Sequence, residues 1–270
     1  MLFSTELRGP RRFIFSETGR LYASSSEPMM PAMERITVED LRGPGATLGA
    51  GVSAGFVAGV LIGGLGGRLA MLALRLTSDP SLHGFLTDDG FTVGRVSLET
   101  LFLLGVTAGL GMAGGLFYLV IRRWIPSPWR IPLMTLFFAL VGGAGVIGPS
   151  DVDFTLLSPL PLAVAFFVVI PAAYGAVMPW MTERLLREDS IVRRGRWAWI
   201  VSLVPLVFAN IVGALILLVA LGVWAVGGSA PSLVAAWRSQ VATWIGRAAL
   251  VVIAAASGAG LLRDGIEILN

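Results

Sequence analysis

The 270-residue chain has no cysteine, no lysine and a single histidine, His83. The first absence removes disulfides, thiolate nucleophiles and cysteine metal sites. One histidine cannot build a multi-histidine metal centre or a bis-histidine haem. Without lysine there is no Gly-Lys-Ser/Thr phosphate loop. All twenty basic residues are arginine, a usage that fits a GC-rich bacterial genome. Charge is scarce too: 14% of residues are charged, where a soluble domain carries about 25%.

Apolar surface takes the place of charge. Hydrophobic residues make up 55% of the chain and the mean hydropathy is +0.80. Apolar runs of about 20 residues follow one another, the length that crosses a bilayer as a helix. The pattern predicts an all-α, polytopic membrane protein with six transmembrane helices. The expected spans are about 47–76, 98–121, 131–147, 160–181, 198–224 and 241–262. Residues 1–44 read as a polar, largely disordered tail without a secretory signal. Met29, Met30 and Met33 each offer a later start, and Glu34 to Arg42 suits a short surface helix capped by Thr37. Residues 263–270 form a second short tail.

The arginines suggest how the chain is threaded. On the six-span reading, Arg35, Arg42, Arg122, Arg123, Arg130, Arg184, Arg187, Arg193, Arg194, Arg196 and Arg263 fall on one side. Only Arg95 and Arg238 fall in loops on the other, with Asp79, Asp88, Asp89, Glu99, Asp151 and Asp153. Arginine-rich loops stay cytoplasmic, so both termini are expected inside, in a bacterial cytoplasmic (inner) membrane. Trp124, Trp129, Trp180, Trp197 and Trp199 then mark the inner boundary, and Trp224, Trp237 and Trp244 the outer one. The pI near 10.1 reflects these topological arginines and not nucleic-acid binding.

Gly51 to Arg75 organises the rest. Gly51, Gly55, Gly59, Gly63 and Gly67 recur every fourth residue, a stripe that lets a second backbone approach closely. Gly105, Gly109 and Ala113 offer a matching line on the second span, with Gly111 and Gly115 on an adjacent line. The stripe serves packing within the chain, or docking of a second copy or a larger membrane complex. Arg68 and Arg75 close the run, and Arg247 enters the last span from its expected outer end. An arginine at mid-bilayer costs about 2.5–3.5 kcal/mol on an insertion scale, so each needs a carboxylate, a phosphate or water. The three form a candidate anion- or lipid-binding site at the outer pole.

The loop 77–97 holds His83, Asp88 and Asp89, which Asp151 and Asp153 would join. One histidine with hard oxygen ligands suits a magnesium, manganese or calcium ion; solvated turn acids are the ordinary alternative. No organic cofactor is indicated. Gly51-Val-Ser53-Ala-Gly55 matches the letters of a serine-hydrolase elbow, but that motif needs a strand–turn–helix setting absent from this run. Asn210 is expected mid-helix as an interhelical hydrogen-bond partner. The lack of Asp, Glu or His at mid-depth disfavours a proton-coupled carrier. The leading functional expectation is a non-enzymatic accessory or lipid/small-solute-interacting bundle with an Arg/Asp site at its outer pole. A transporter or channel for an anionic solute, and a metal-assisted enzyme acting on a lipid-linked substrate, are the alternatives.

Overall fold

The computed structural model describes residues 38–77, 98–147, 159–195, 197–208, 222 and 231–269. The expected N-terminal tail lies almost wholly outside this set, as do His83, Asp88, Asp89, Asp151 and Asp153. All regular structure among the described residues is helical. Five helices there are long and apolar enough to cross a membrane: Arg42–Leu74, Leu101–Ile121, Ser127–Val146, Leu160–Leu185 and Gln240–Ile268.

The first long helix starts earlier than expected and does not pause. Helix α1, Val38–Ala58, passes through Gly43-Pro44-Gly45, continues as a π-helical segment, Gly59–Gly66, and ends as α2, Gly67–Thr77. Pro44 lies in the second turn, where its missing N–H leaves only one carbonyl without its usual partner. Nearby, the Thr47 hydroxyl donates to the Gly43 carbonyl at 3.0 Å. At about 1.5 Å per residue, the apolar stretch Arg42–Leu74 is roughly 50 Å long, well beyond the ~30 Å hydrocarbon core. A helix of that length set across a bilayer would project past it or tilt strongly.

The next three spans sit close to their expected limits. Helix α3 covers Leu98–Ile121, α4 Arg130–Val146 and α5 Leu160–Leu185. A single turn, Ser127–Trp129, leads into α4. Helix α5 runs one turn further than expected, which carries Glu183 into the helix. α1 packs along α3, and α4 along α5. Tyr118, Ile121, Ile125, Met134 and Met178 form the central buried cluster, and Leu74, Ile147 and Ala163 another.

The fifth expected span, 198–224, lies largely outside the described residues. Its described part is two single turns, α7 (Ala198–Val201) and α8 (Pro205–Phe208), preceded by α6 (Ile191–Arg194). Pro205 cannot donate to the Val201 carbonyl, so the first turn is not continued there. This segment lies on α1: the Ser53 hydroxyl donates to the Ser202 carbonyl at 2.8 Å, and Trp199 packs over Gly45.

The last helix corrects the expected threading. Helix α9 (Pro231–Trp237) leads into α10 (Gln240–Leu269). Trp237 meets Trp124 with ring centroids 5.2 Å apart, and Arg247 Nε donates to the Trp124 carbonyl at 2.7 Å. Further along, Leu140 packs by Gly258 and Leu261 by Gly143. α10 thus runs parallel to α4, beginning where α3 ends. Ile268 belongs to the cluster of Leu74, Ile147 and Ala163 at the opposite pole. The two ends of the described chain therefore stand at opposite poles, not together as the six-span reading has them. Trp237, Trp244 and Arg238 move to the pole of Arg122 and Arg130, and Arg263 moves away from it.

Candidate functional site

The glycine stripe is a packing surface whose register is set by α3. A Cβ at Gly55 would overlap the Gly111 carbonyl, and one at Gly59 the Thr107 carbonyl. At Gly51 a Cβ would come within 2.6 Å of Leu119 Cδ1. Gly63 lies beside the Thr107 side chain, while Gly67 faces open space. On α3 the mates are Gly111 and Gly115, whose added Cβ atoms would meet Gly55 and Gly51 in turn. Gly105 faces open space, and Gly109 is buried. The expected Gly105 line is therefore displaced by the adjacent one. Gly51, Gly55 and Gly59 are buried within the chain, which leaves them closed to a second copy.

The three expected site arginines do not meet. Gly64 lies by Leu104, so Arg68, one turn on, stands level with the first turn of α3. Arg68 is half-buried, and Arg75 follows it on α2. Arg247 sits at the other pole against Trp124. The acids expected to surround them lie outside the described residues.

A different constellation occupies the arginine-rich pole. Glu183, near the end of α5, accepts four hydrogen bonds. The Tyr118 hydroxyl donates to Oε1 at 2.6 Å, and Arg122 donates through Nε to Oε1 at 3.0 Å and Nη2 to Oε2 at 2.9 Å. Arg130 Nη1 donates to Oε1 at 3.1 Å, while its Nε reaches the Ile125 carbonyl at 3.3 Å. The fork of Arg122 on the carboxylate is bidentate, the stronger and more directional form of this pair. The network ties α3, α4 and α5 together, and every carboxylate oxygen in it is engaged. Its chemistry is that of a bolt. Sequence reading passes over Glu183, a lone acid in an arginine-rich stretch. The available signal is Tyr118 in the last turn of α3 and Arg122 four residues on, just past its end, both facing one neighbour.

Beside this bolt, α4 and α10 leave an open groove of about 860 Å³. Leu133, Leu136, Phe137, Leu140, Leu250, Val251, Ala255 and Leu262 line it, with small residues Ala254, Gly258 and Ala259 on the α10 side. Trp124 and Arg247 close its arginine-pole end. The Arg247 guanidinium also lies 5.3 Å from the Trp244 ring. Among the described residues the ion pairs are those of Glu183 with Arg122 and Arg130, so Arg247 has no carboxylate partner there. The Trp124 Nε1 is buried and without a hydrogen-bond acceptor. Trp124 itself is held between Trp237 and Gly246, whose missing side chain admits the indole. The arrangement is a long apolar trough with a cation at one end.

Comparison with protein-family models, with characterised proteins and with solved structures finds no match to this chain.

Proposed function

We propose that this chain is a non-catalytic, multi-pass helix bundle of a bacterial cytoplasmic membrane that holds a membrane amphiphile between α4 and α10. The observation that carries the reading is the groove itself: apolar along its length, open to the side, and headed by Arg247. Pockets that bind small apolar molecules commonly measure about 300–1,000 Å³ and combine apolar walls with a few placed polar groups. At 860 Å³ this groove fits that description.

The arginine-rich pole faces the cytoplasm in this proposal. Arg42, Arg122, Arg123, Arg130, Arg184, Arg187, Arg193, Arg194, Arg238 and Arg247 all belong to it, with Arg68, Arg75 and Arg263 toward the other end. With α4 and α10 parallel, Arg238 and Arg247 join the majority while Arg263 leaves it, so the arginine excess stays at the pole of Arg122 and Arg130. The start of α1 then lies inside and the end of α10 outside.

Native mass spectrometry of the protein, extracted gently from its own membrane, tests the binding role. The expected spectrum carries a lipid adduct that Ala255→Trp, which fills the groove, removes without loss of the folded chain. A bare chain, or an adduct indifferent to Ala255→Trp, would contradict the proposal.

A further inference from the structure

We infer that the ligand of the α4–α10 groove is an anionic phospholipid of the arginine-side leaflet, its phosphate held by Arg247 and its acyl chain laid along the trough. This rests on the proposed role of the groove and adds the headgroup chemistry to it.

Arg247 carries five N–H donors. One, Nε, is used by the Trp124 carbonyl, which fixes the guanidinium at the head of the groove. Its face is turned to Trp244. No carboxylate among the described residues takes up the remaining donors. Arg247 therefore presents unmatched donors at one end of a trough lined elsewhere by hydrocarbon. The complement of that arrangement is an anionic oxygen cluster joined to an apolar tail.

Dimensions and position favour a lipid as the source. From Arg247 to Leu262 the α10 wall spans fifteen residues, about 22 Å at 1.5 Å per residue. One leaflet contributes about 15 Å of hydrocarbon, so the trough is long enough for an acyl chain of that leaflet. The head of the groove follows directly on the end of α3, at the depth where tryptophan and arginine meet headgroups. Arg238, next to Trp237, adds positive charge there, which selects a headgroup of net negative charge over a zwitterionic one.

The test uses delipidated protein and two lipids of equal chain length, phosphatidylglycerol and phosphatidylcholine, titrated and counted by native mass spectrometry. Phosphatidylglycerol is expected to bind at least about fivefold more tightly, the equivalent of one arginine near the headgroups. Arg247→Gln should bring the two lipids within about twofold, and Arg263→Gln should leave the preference intact. Equal affinities in the unmutated chain, or a preference that survives Arg247→Gln, would overturn the inference. Should Arg247→Gln fail to fold, the unmutated chain still decides. Phosphatidylglycerol brominated in mid-chain should quench tryptophan fluorescence saturably, well beyond brominated phosphatidylcholine at the same mole fraction; equal quenching overturns it. Zwitterionic binding that Ala255→Trp abolishes would keep the groove and remove the anionic headgroup. A disulfide between Ala255→Cys and Ala214→Cys would put the chain's own segment in the trough and overturn both readings.

Discussion

Gly55→Leu is expected to abolish the folded bundle, while Gly67→Leu leaves it intact. The two positions belong to one stripe and differ only in what lies opposite. At Gly55 even a single carbon would overlap the Gly111 carbonyl, with Met112 Cα also within 2.9 Å. These are backbone atoms, so no rotamer change can make room. Relief requires α1 and α3 to separate along the whole interface that Gly51, Gly55 and Gly59 share. Overpacking in a core typically costs about 1–3 kcal/mol where side chains can shift, and a backbone obstruction exceeds that range. At Gly67 an added Cβ meets nothing within 4 Å. Helical propensity would even favour leucine over glycine there by roughly 0.8–1 kcal/mol. Size-exclusion profiles and melting in detergent check the pair. Equal tolerance at both positions would dismiss the tight α1–α3 contact.

Glu183→Gln is expected to lower the stability of the extracted protein by about 2 kcal/mol, below the roughly 3–5 kcal/mol of breaking a fully buried pair. The discount follows from exposure: the side chains of Arg122, Glu183 and Arg130 retain 27%, 29% and 20% of their accessible surface. Glutamine keeps the size and one acceptor for Tyr118. It removes the charge that two guanidinium groups share, and its amide turns a donor toward Arg122. A double-mutant cycle isolates the ion pair. Arg122→Gln alone should also destabilise, but Arg122→Gln added to Glu183→Gln should cost much less than it does alone. Strict additivity in thermal melts would show that the pair contributes nothing beyond its separate members. Because the network closes on itself, neither substitution is expected to alter lipid preference in the groove.

The all-helical class and the long apolar helices were legible in hydropathy alone, because apolar runs of about 20 residues, the length a bilayer span needs, recur along the chain. The limits of α3 were legible for the same reason, since Arg122 and Arg123 end its apolar run sharply. Register was not. Both Gly105–Gly109 and Gly111–Gly115 carry the small-residue spacing, and only the approach of α1 chooses between them. The end of α5 was read short because Thr182-Glu183-Arg184 is polar; its polarity is matched by α3 and α4 across the bundle, which hydropathy does not see. The threading of the last helix depended on a strict alternation through 198–224. Most of that segment lies outside the described residues. The outer cluster of His83 and the loop aspartates lies beyond the described residues, and the groove could not be read from sequence because its two walls are more than a hundred residues apart.

The parallel alignment of α4 and α10 underlies both the groove and the place of Arg247, and the absence of cysteine makes it directly measurable. Asp189→Cys and Glu267→Cys are both at exposed positions, one after α5 and one near the end of α10. A membrane-impermeant maleimide applied to intact cells should label Glu267→Cys and reach Asp189→Cys only after permeabilisation. Labelling of both from the same side would turn α10 antiparallel to α4, send Arg247 back to the opposite pole, and remove the site.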